Sequence, residues 1–133
     1  MALYLLDTNI LSDILKNPQG LAAQKLTEHP QESLCTSIIV AAEMRYGAAK
    51  KNAEALTERV NQLLDVIKIL SFSPDADHCY GQVRAQLERK GQTIGANDLL
   101  IAAHALSVDA ILVTANVNEF SRVSGLTMEN WLA

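Results

Sequence analysis

Ala2-Leu3-Tyr4-Leu5-Leu6-Asp7-Thr8-Asn9-Ile10-Leu11 decides how the rest of the chain is read, because a short apolar run ends on a carboxylate and a helical pattern starts at once. Ala2 to Leu6 predicts a strand whose unbroken apolar character suits a sheet covered on both faces. Ile10, Leu11, Ile14 and Leu15 then recur at helical spacing until Asn17-Pro18 stops them. The unit is strand, acidic turn, helix. It leaves Asp7 beside buried backbone, where an unpaired charge would cost several kcal/mol. Three things satisfy such a carboxylate: a capping role at the turn or helix start, an internal Arg or Lys, or a cation shared with other acids.

Working outward, a short helix is predicted over 19–27, and Ser33 to Thr36 reads as a brief strand that delivers Ser37 as the N-cap of a helix running through Tyr46, with Gly47 near its end. Ala53, Leu56, Val60, Leu63 and Ile67 mark a further helix, and Ile67 to Phe72 alternates like a strand. Ser73 as cap and Pro74 at the first helical position open the next helix, with Tyr80, Val83 and Leu87 as its stripe and Gly91 beyond its end. Another helix starts near Gly95-Ala96-Asn97-Asp98 and continues to Leu106. Ala110 to Thr114 is a buried strand, and Leu126 to Leu132 gives an edge strand or an irregular cap bearing Trp131.

Strands alternating with helices predict an α/β fold of three layers, α/β/α, around a mostly parallel sheet of four to five strands, with residues 1–133 as one domain. The 133 residues suffice for a core without disulfides or structural metal. That core should be aliphatic, since 49% of the chain is hydrophobic but only 5% aromatic. No charged leader and no apolar run of roughly 18 residues are seen, so a soluble, cytoplasmic protein without membrane contact is expected. Cys35 and Cys79 lack a C-x-x-C pattern and read as small buried side chains in a reducing compartment, while His29, His78 and His104 lack the pairing of a zinc helix. A formal charge of -4 predicts no global attraction to nucleic acid. RNA contacts would have to come from local cations such as Arg45, Lys50, Arg84 or Arg89.

In a parallel sheet ligands gather at the carboxyl ends of the strands. Asp7, Thr36-Ser37 and Thr114-Ala115-Asn116 lie on that edge, and the helical acids Glu43 and Asp98 start from it if the crossovers are right-handed. Asp98 also suits a helix first turn by charge alone. The apolar neighbours Ile38 to Ala42 and Met44 leave Glu43 little solvent face. Asn116 and Glu119 either complete an acidic cluster or cap the short turn after the last buried strand. Three carboxylates sharing a pocket require a cation or a retained proton. Oxygen ligands without nearby His or Cys favour magnesium or manganese over zinc, which points to phosphoryl chemistry.

Four stretches carry a resemblance: Leu5-Leu6-Asp7-Thr8-Asn9; Thr36-Ser37-Ile38-Ile39-Val40-Ala41-Ala42-Glu43-Met44-Arg45-Tyr46-Gly47; Ile94-Gly95-Ala96-Asn97-Asp98-Leu99-Leu100-Ile101-Ala102-Ala103-His104-Ala105; and Leu112-Val113-Thr114-Ala115-Asn116 with Glu119-Phe120. In that order they resemble the PIN-domain ribonucleases, more narrowly the VapC toxins of bacterial type II toxin-antitoxin pairs. The resemblance implies that Asp7, Glu43 and Asp98 are the catalytic, metal-binding acids, and that Thr8, Asn9 and Thr114 orient the carboxylates or water. It implies Mg2+- or Mn2+-dependent hydrolysis of RNA, with initiator tRNA the leading target, homodimerisation, and inhibition by a VapB-type antitoxin that also carries the pair to operator DNA. Many such domains have a fourth acid after the last core strand, where this chain has Asn116 and, slightly later, Glu119. Two other classes are open to an Asp after a parallel strand. A phosphoaspartate protein would need a second Asp at position 9, where Asn9 stands, or a Lys near the final strand end, and a metal-free interaction module would have no use for three intact acids.

Overall fold

In the computed structural model, which describes residues 2–133, β1 (Tyr4–Leu6) leads into α1 (Thr8–Lys16) and α2 (Leu21–Thr27). A 3-10 turn at Gln31–Ser33 precedes β2 (Leu34–Ser37), α3 (Ile38–Lys51), α4 (Glu54–Val66) and β3 (Lys68–Leu70). Then follow α5 (Pro74–Arg89), α6 (Ala96–Ser107), β4 (Ile111–Val113), the short α7 (Val117–Phe120) and β5 (Met128–Glu129). The strands form one sheet in the order β3-β2-β1-β4-β5, every neighbouring pair parallel. β1 is central, with Leu5 opposite Cys35 on one side and Leu112 on the other.

From β1 to β3 the chain steps in one direction, and from β3 to β5 it returns in the other. Right-handed crossovers therefore put α1 to α4 on one face of the sheet and α5 to α7 on the opposite face, giving the three layers. The order reverses between β1 and β4, and the crevice beyond their carboxyl ends is where such sheets bind ligands. Leu5, Leu6, Ile10, Ile101, Leu112 and Val113 are fully buried around it. At about 25 cal/mol per Å² of apolar surface removed from water, this aliphatic packing is the main term stabilising the sheet and helices. No helix among the described residues is long and apolar enough to cross a membrane.

Several boundaries differ from the sequence reading. Regular pairing in β1 starts at Tyr4 rather than Ala2; the Leu3 carbonyl, accepting from Ile111 N–H at 2.8 Å, is the first point of attachment. The first residues predicted for α2 are spent on a turn, and Gly20 caps the helix. β2 extends through Ser37. Gly47 does not end α3, because strong helix formers on either side carry the helix to Lys51. Asn52 terminates it in the left-handed conformation, φ 49°. Ser73 holds the N-cap position of α5 without a side-chain capping bond, so Pro74 carries the start of that helix alone. The tail makes the predicted edge strand, with Trp131 fully buried. Trp131 stacks on His29, ring centroids 4.9 Å apart, and so pins the carboxyl terminus to the loop after α2.

Candidate active site

Asp7 is the residue after β1 and the N-cap of α1. Its Oδ1 accepts from Thr8 N–H at 2.8 Å, which is the capping role the sequence allowed. Its Oδ2 lies on the other side of the switch point, accepting from Thr114 Oγ1 at 2.8 Å and from Asn9 Nδ2 at 3.4 Å. Thr114 follows β4, so this bond closes the crevice between β1 and β4. Asn9 Oδ1 accepts from Ala115 N–H at 3.0 Å, and Thr114 Oγ1 accepts from Asn116 N–H at 3.1 Å. A lattice of uncharged donors thus fixes Asp7, which is only 3% exposed.

The helical acids arrive from both faces. Glu43, two turns into α3, accepts from Thr8 Oγ1 at 2.7 Å and from Asn97 Nδ2 at 3.2 Å. It is half-buried, less enclosed than its apolar neighbours suggested, because Ile38 and Ala42 face solvent on α3. Asp98 lies in the first turn of α6. Glu119, on α7, accepts from Gly95 N–H at 2.9 Å and hydrogen-bonds with Asp98. Asn116 is exposed at the start of α7 and contributes only its backbone N–H to the lattice. Of the two candidates after β4, Glu119 is the one that touches another acid. The sequence reading gave no role to Asn97 or to the Gly95 amide. Both sit beside Asp98 in a quoted motif, and that adjacency was the available signal.

Burial is the main reason the Asp7 carboxyl is pushed above its ordinary value; bonds from Thr114 and Thr8 oppose it, and the charge of Glu43 adds to it. Asp98 is pushed from 3.8 to about 7, first by desolvation, then by its bond to Glu119 and the charges of Glu119, Asp7 and Glu43. No cation of the protein relieves this repulsion: the one salt bridge among the described residues is Arg84 with Glu88, remote in chemistry from these acids. The positive partner inferred from Asp7 is therefore not a side chain. The donor set is all oxygen, which fits a hard divalent ion. Among the described residues no three His, Cys, Asp or Glu converge into an all-protein cage, so such an ion would keep several waters, as small hard cations do.

The basic residues named from sequence are elsewhere engaged or undirected: Arg45 donates to Asn61 Oδ1, Arg84 to Tyr80 and Glu88, and Lys50 and Arg89 are exposed near helix ends. Cys35 is buried, with its thiol pushed up to about 12 by desolvation, and Cys79 is half-buried.

The PIN domain family matches residues 4–126. Ribonuclease VapC2 of Rickettsia felis is 40% identical over 131 residues, 97% of this chain and 98% of that protein. The tRNA(fMet)-specific endonuclease VapC of Shigella flexneri is 35% identical over 132 residues, 98% of this chain and 99% of that one. Among solved structures, VapBC2 from Rickettsia felis bound to a DNA fragment from their promoter superimposes with a TM-score of 0.90 at 37% identity, covering 97% of this chain and 98% of that chain. A parallel sheet in the order 3-2-1-4-5 with acids at its switch point, matched along nearly the whole length by these proteins, places the chain in the PIN-domain family, within its VapC group.

Proposed function

We propose that this chain is a magnesium-dependent endoribonuclease, the toxic component of a type II toxin-antitoxin pair. The observation that carries the reading is the set of carboxylates at the β1/β4 crevice with no cationic side chain among them. PIN-domain nucleases are in general divalent-metal dependent, and oxygen-only donors favour magnesium, with manganese as a substitute. Asp7, Asp98 and Glu43 would hold the ion, with Glu119 rather than Asn116 as the fourth acid. When bound, the ion lowers the pKa of water and neutralises charge on a phosphodiester.

The chain's own residues do the rest. Thr114, Thr8 and Asn9 fix both oxygens of Asp7 so that its lone pairs face one direction only. Thr8 and Asn97 each hold one oxygen of Glu43, turning α3 and α6 toward the same point. Either carboxylate is positioned to accept a proton from water attacking a phosphodiester. The relatives named for ribonuclease and initiator tRNA cleavage support an RNA substrate, with initiator tRNA the first to test. The VapBC complexes among similar structures support neutralisation by a VapB-type antitoxin, contact with operator DNA through that partner, and a cytoplasmic setting. Homodimerisation would cover Ile38 and Tyr46, which are 43% and 66% exposed on α3.

The test is RNA cleavage by the purified chain with magnesium, with EDTA, and with Asp7→Asn or Asp98→Asn. Cleavage of initiator tRNA over elongator tRNA, lost in EDTA and in both variants, is expected. Undiminished cleavage by the two variants would refute the acidic site.

A further inference from the structure

A groove of about 270 Å³ opens beside the acids, between α1, α3 and α4. Thr8 and Glu43, joined at 2.7 Å, form its head, so it is continuous with the candidate active site. Its floor is aliphatic, from Leu15, Met44, Leu56 and Val60, and Lys16, Lys51 and Arg59 stand along it. In a chain of net charge -4, three cations on one depression next to a cluster of acids are a local reversal of sign.

Gly47 also lines this groove, in the interior of α3. A glycine there weakens a helix relative to alanine, and a Cβ at this position would meet nothing within 4 Å. Internal packing therefore does not call for glycine. What its absence of side chain preserves is the open width of the groove. Lys16 and Lys51 suit the carboxyl ends of α1 and α3 by helix dipole alone, but that does not account for Gly47 or for the apolar floor between them. Ser12 adds a hydroxyl whose bond is a weak one, to Met44 Sδ at 3.7 Å.

We propose that this groove is a nucleotide subsite for the RNA substrate: it seats a base of an unpaired strand next to the scissile phosphodiester, while Lys16 and Lys51 contact the adjoining phosphates. The inference rests on the ribonuclease reading above. Charge argues for RNA as the occupant. A polyanion drawn across Asp7, Glu43 and Asp98 is repelled there, and needs cations within a nucleotide or two of the cleavage point. These lysines share a cavity with Glu43, which none of Arg45, Lys50, Arg84 and Arg89 does. Arg59 donates to the Leu15 carbonyl and so braces α4 against α1; it shapes the groove, and the lysines are the groups to test.

The experiment is steady-state cleavage of an RNA substrate by the full chain as a function of salt, for wild type, Lys16→Ala/Lys51→Ala and Gly47→Leu, with Tm recorded for each. The double variant is expected to raise KM about tenfold with little change in kcat, and to flatten the log-log salt dependence of kcat/KM by roughly 0.7 per lysine removed. Gly47→Leu is expected to raise KM without lowering Tm. Wild-type KM and salt slope in both variants would overturn the groove and leave the ribonuclease reading standing. Unchanged RNA kinetics with weakened binding of a protein partner would assign the groove to a polypeptide and likewise overturn the proposal. Absence of RNA cleavage by the wild-type chain would sink both readings together.

Discussion

Asp98→Asn should make the metal-free protein more stable at alkaline pH while destroying its activity. Asp98 is held from 3.8 up to about 7 by burial and by the acids around it. A carboxyl raised in the folded state binds a proton more tightly there than in the unfolded chain. Its contribution is therefore fully present below about pH 4 and lost as pH rises through about 7. Were the group shielded from water, that difference would correspond to on the order of 4 kcal/mol. Asp98 is only partly buried, and screening by solvent reduces the expectation to about 1–2 kcal/mol. Asparagine keeps a donor for Glu119 but no charge, so the variant should gain that amount at pH 8, or roughly 3–10 °C in Tm. At pH 4 the two proteins should differ little. Magnesium should raise the Tm of the wild type at pH 8 and do less for the variant, by mass action on the folded state. Thermal unfolding of both proteins in EDTA and in magnesium, from pH 4 to 8, measures all of this; the difference between the proteins cancels groups they share. A variant less stable than wild type at pH 8 in EDTA would refute the argument that these acids lack an internal counter-charge.

Three further outcomes follow from individual contacts. Thr114→Val removes the donor to Asp7 Oδ2 at nearly constant volume, and should cost about 1.5–3 kcal/mol in denaturant unfolding; Thr114→Ser should restore most of both stability and cleavage. His104 is fully buried, its Nδ1 2.7 Å from Ser37 Oγ, and burial lowers its pKa against a weaker pull from the Ser71 backbone. Stability linked to His104 is thus present above its ordinary 6.5 and lost as pH falls through its lower folded value, so a His104→Gln protein should show a flatter stability profile between pH 7 and 5. Cys35, with a thiol pushed up to about 12, should resist alkylation at pH 8 until the chain unfolds, whereas the half-buried Cys79 should react first; equal rates by mass spectrometry would contradict the burial.

The sequence made the frame legible because its signals are local. Leu3-Tyr4-Leu5-Leu6 can only be a buried strand, Pro74 and Gly91 mark the ends of α5, and Asp7, Glu43 and Asp98 each stand at a fixed offset from such a boundary. What it could not show depends on side chains meeting across elements. Nothing near Gly47 reveals that α3 continues past it, since the left-handed stop is supplied five residues later by Asn52. Periodicity also misjudged α3, taking an apolar run for a buried one while Ile38 and Tyr46 remained exposed. The cations beside the acids were misassigned for the same reason: Lys16 and Lys51 sit 35 residues apart and meet at one groove only after α1 packs on α3.

The far side of the crevice is the clearest instance. Position 116 is the first residue able to face Asp7 after β4, and counting along the chain selects it. The backbone selects otherwise, because the N–H of Asn116 is drawn to Thr114 Oγ1 and the chain turns outward into α7. One turn later Glu119 is brought back over the start of α6, where the Gly95 amide fixes it beside Asp98. A Cβ at Gly95 would lie 3.6 Å from Asp98 Oδ2 and 3.8 Å from Glu119 Oε1, so a larger side chain there would crowd the pair. Glu119→Gln keeps an oxygen for the Gly95 amide but removes the charge. If Glu119 serves as the fourth acid, the variant should keep its fold, show a lower Asp98 pKa by NMR titration, and need several-fold more magnesium for half-maximal cleavage. An unchanged magnesium requirement alongside the lowered pKa would leave Glu119 as a positioning residue for α6, with three acids sufficient for the metal.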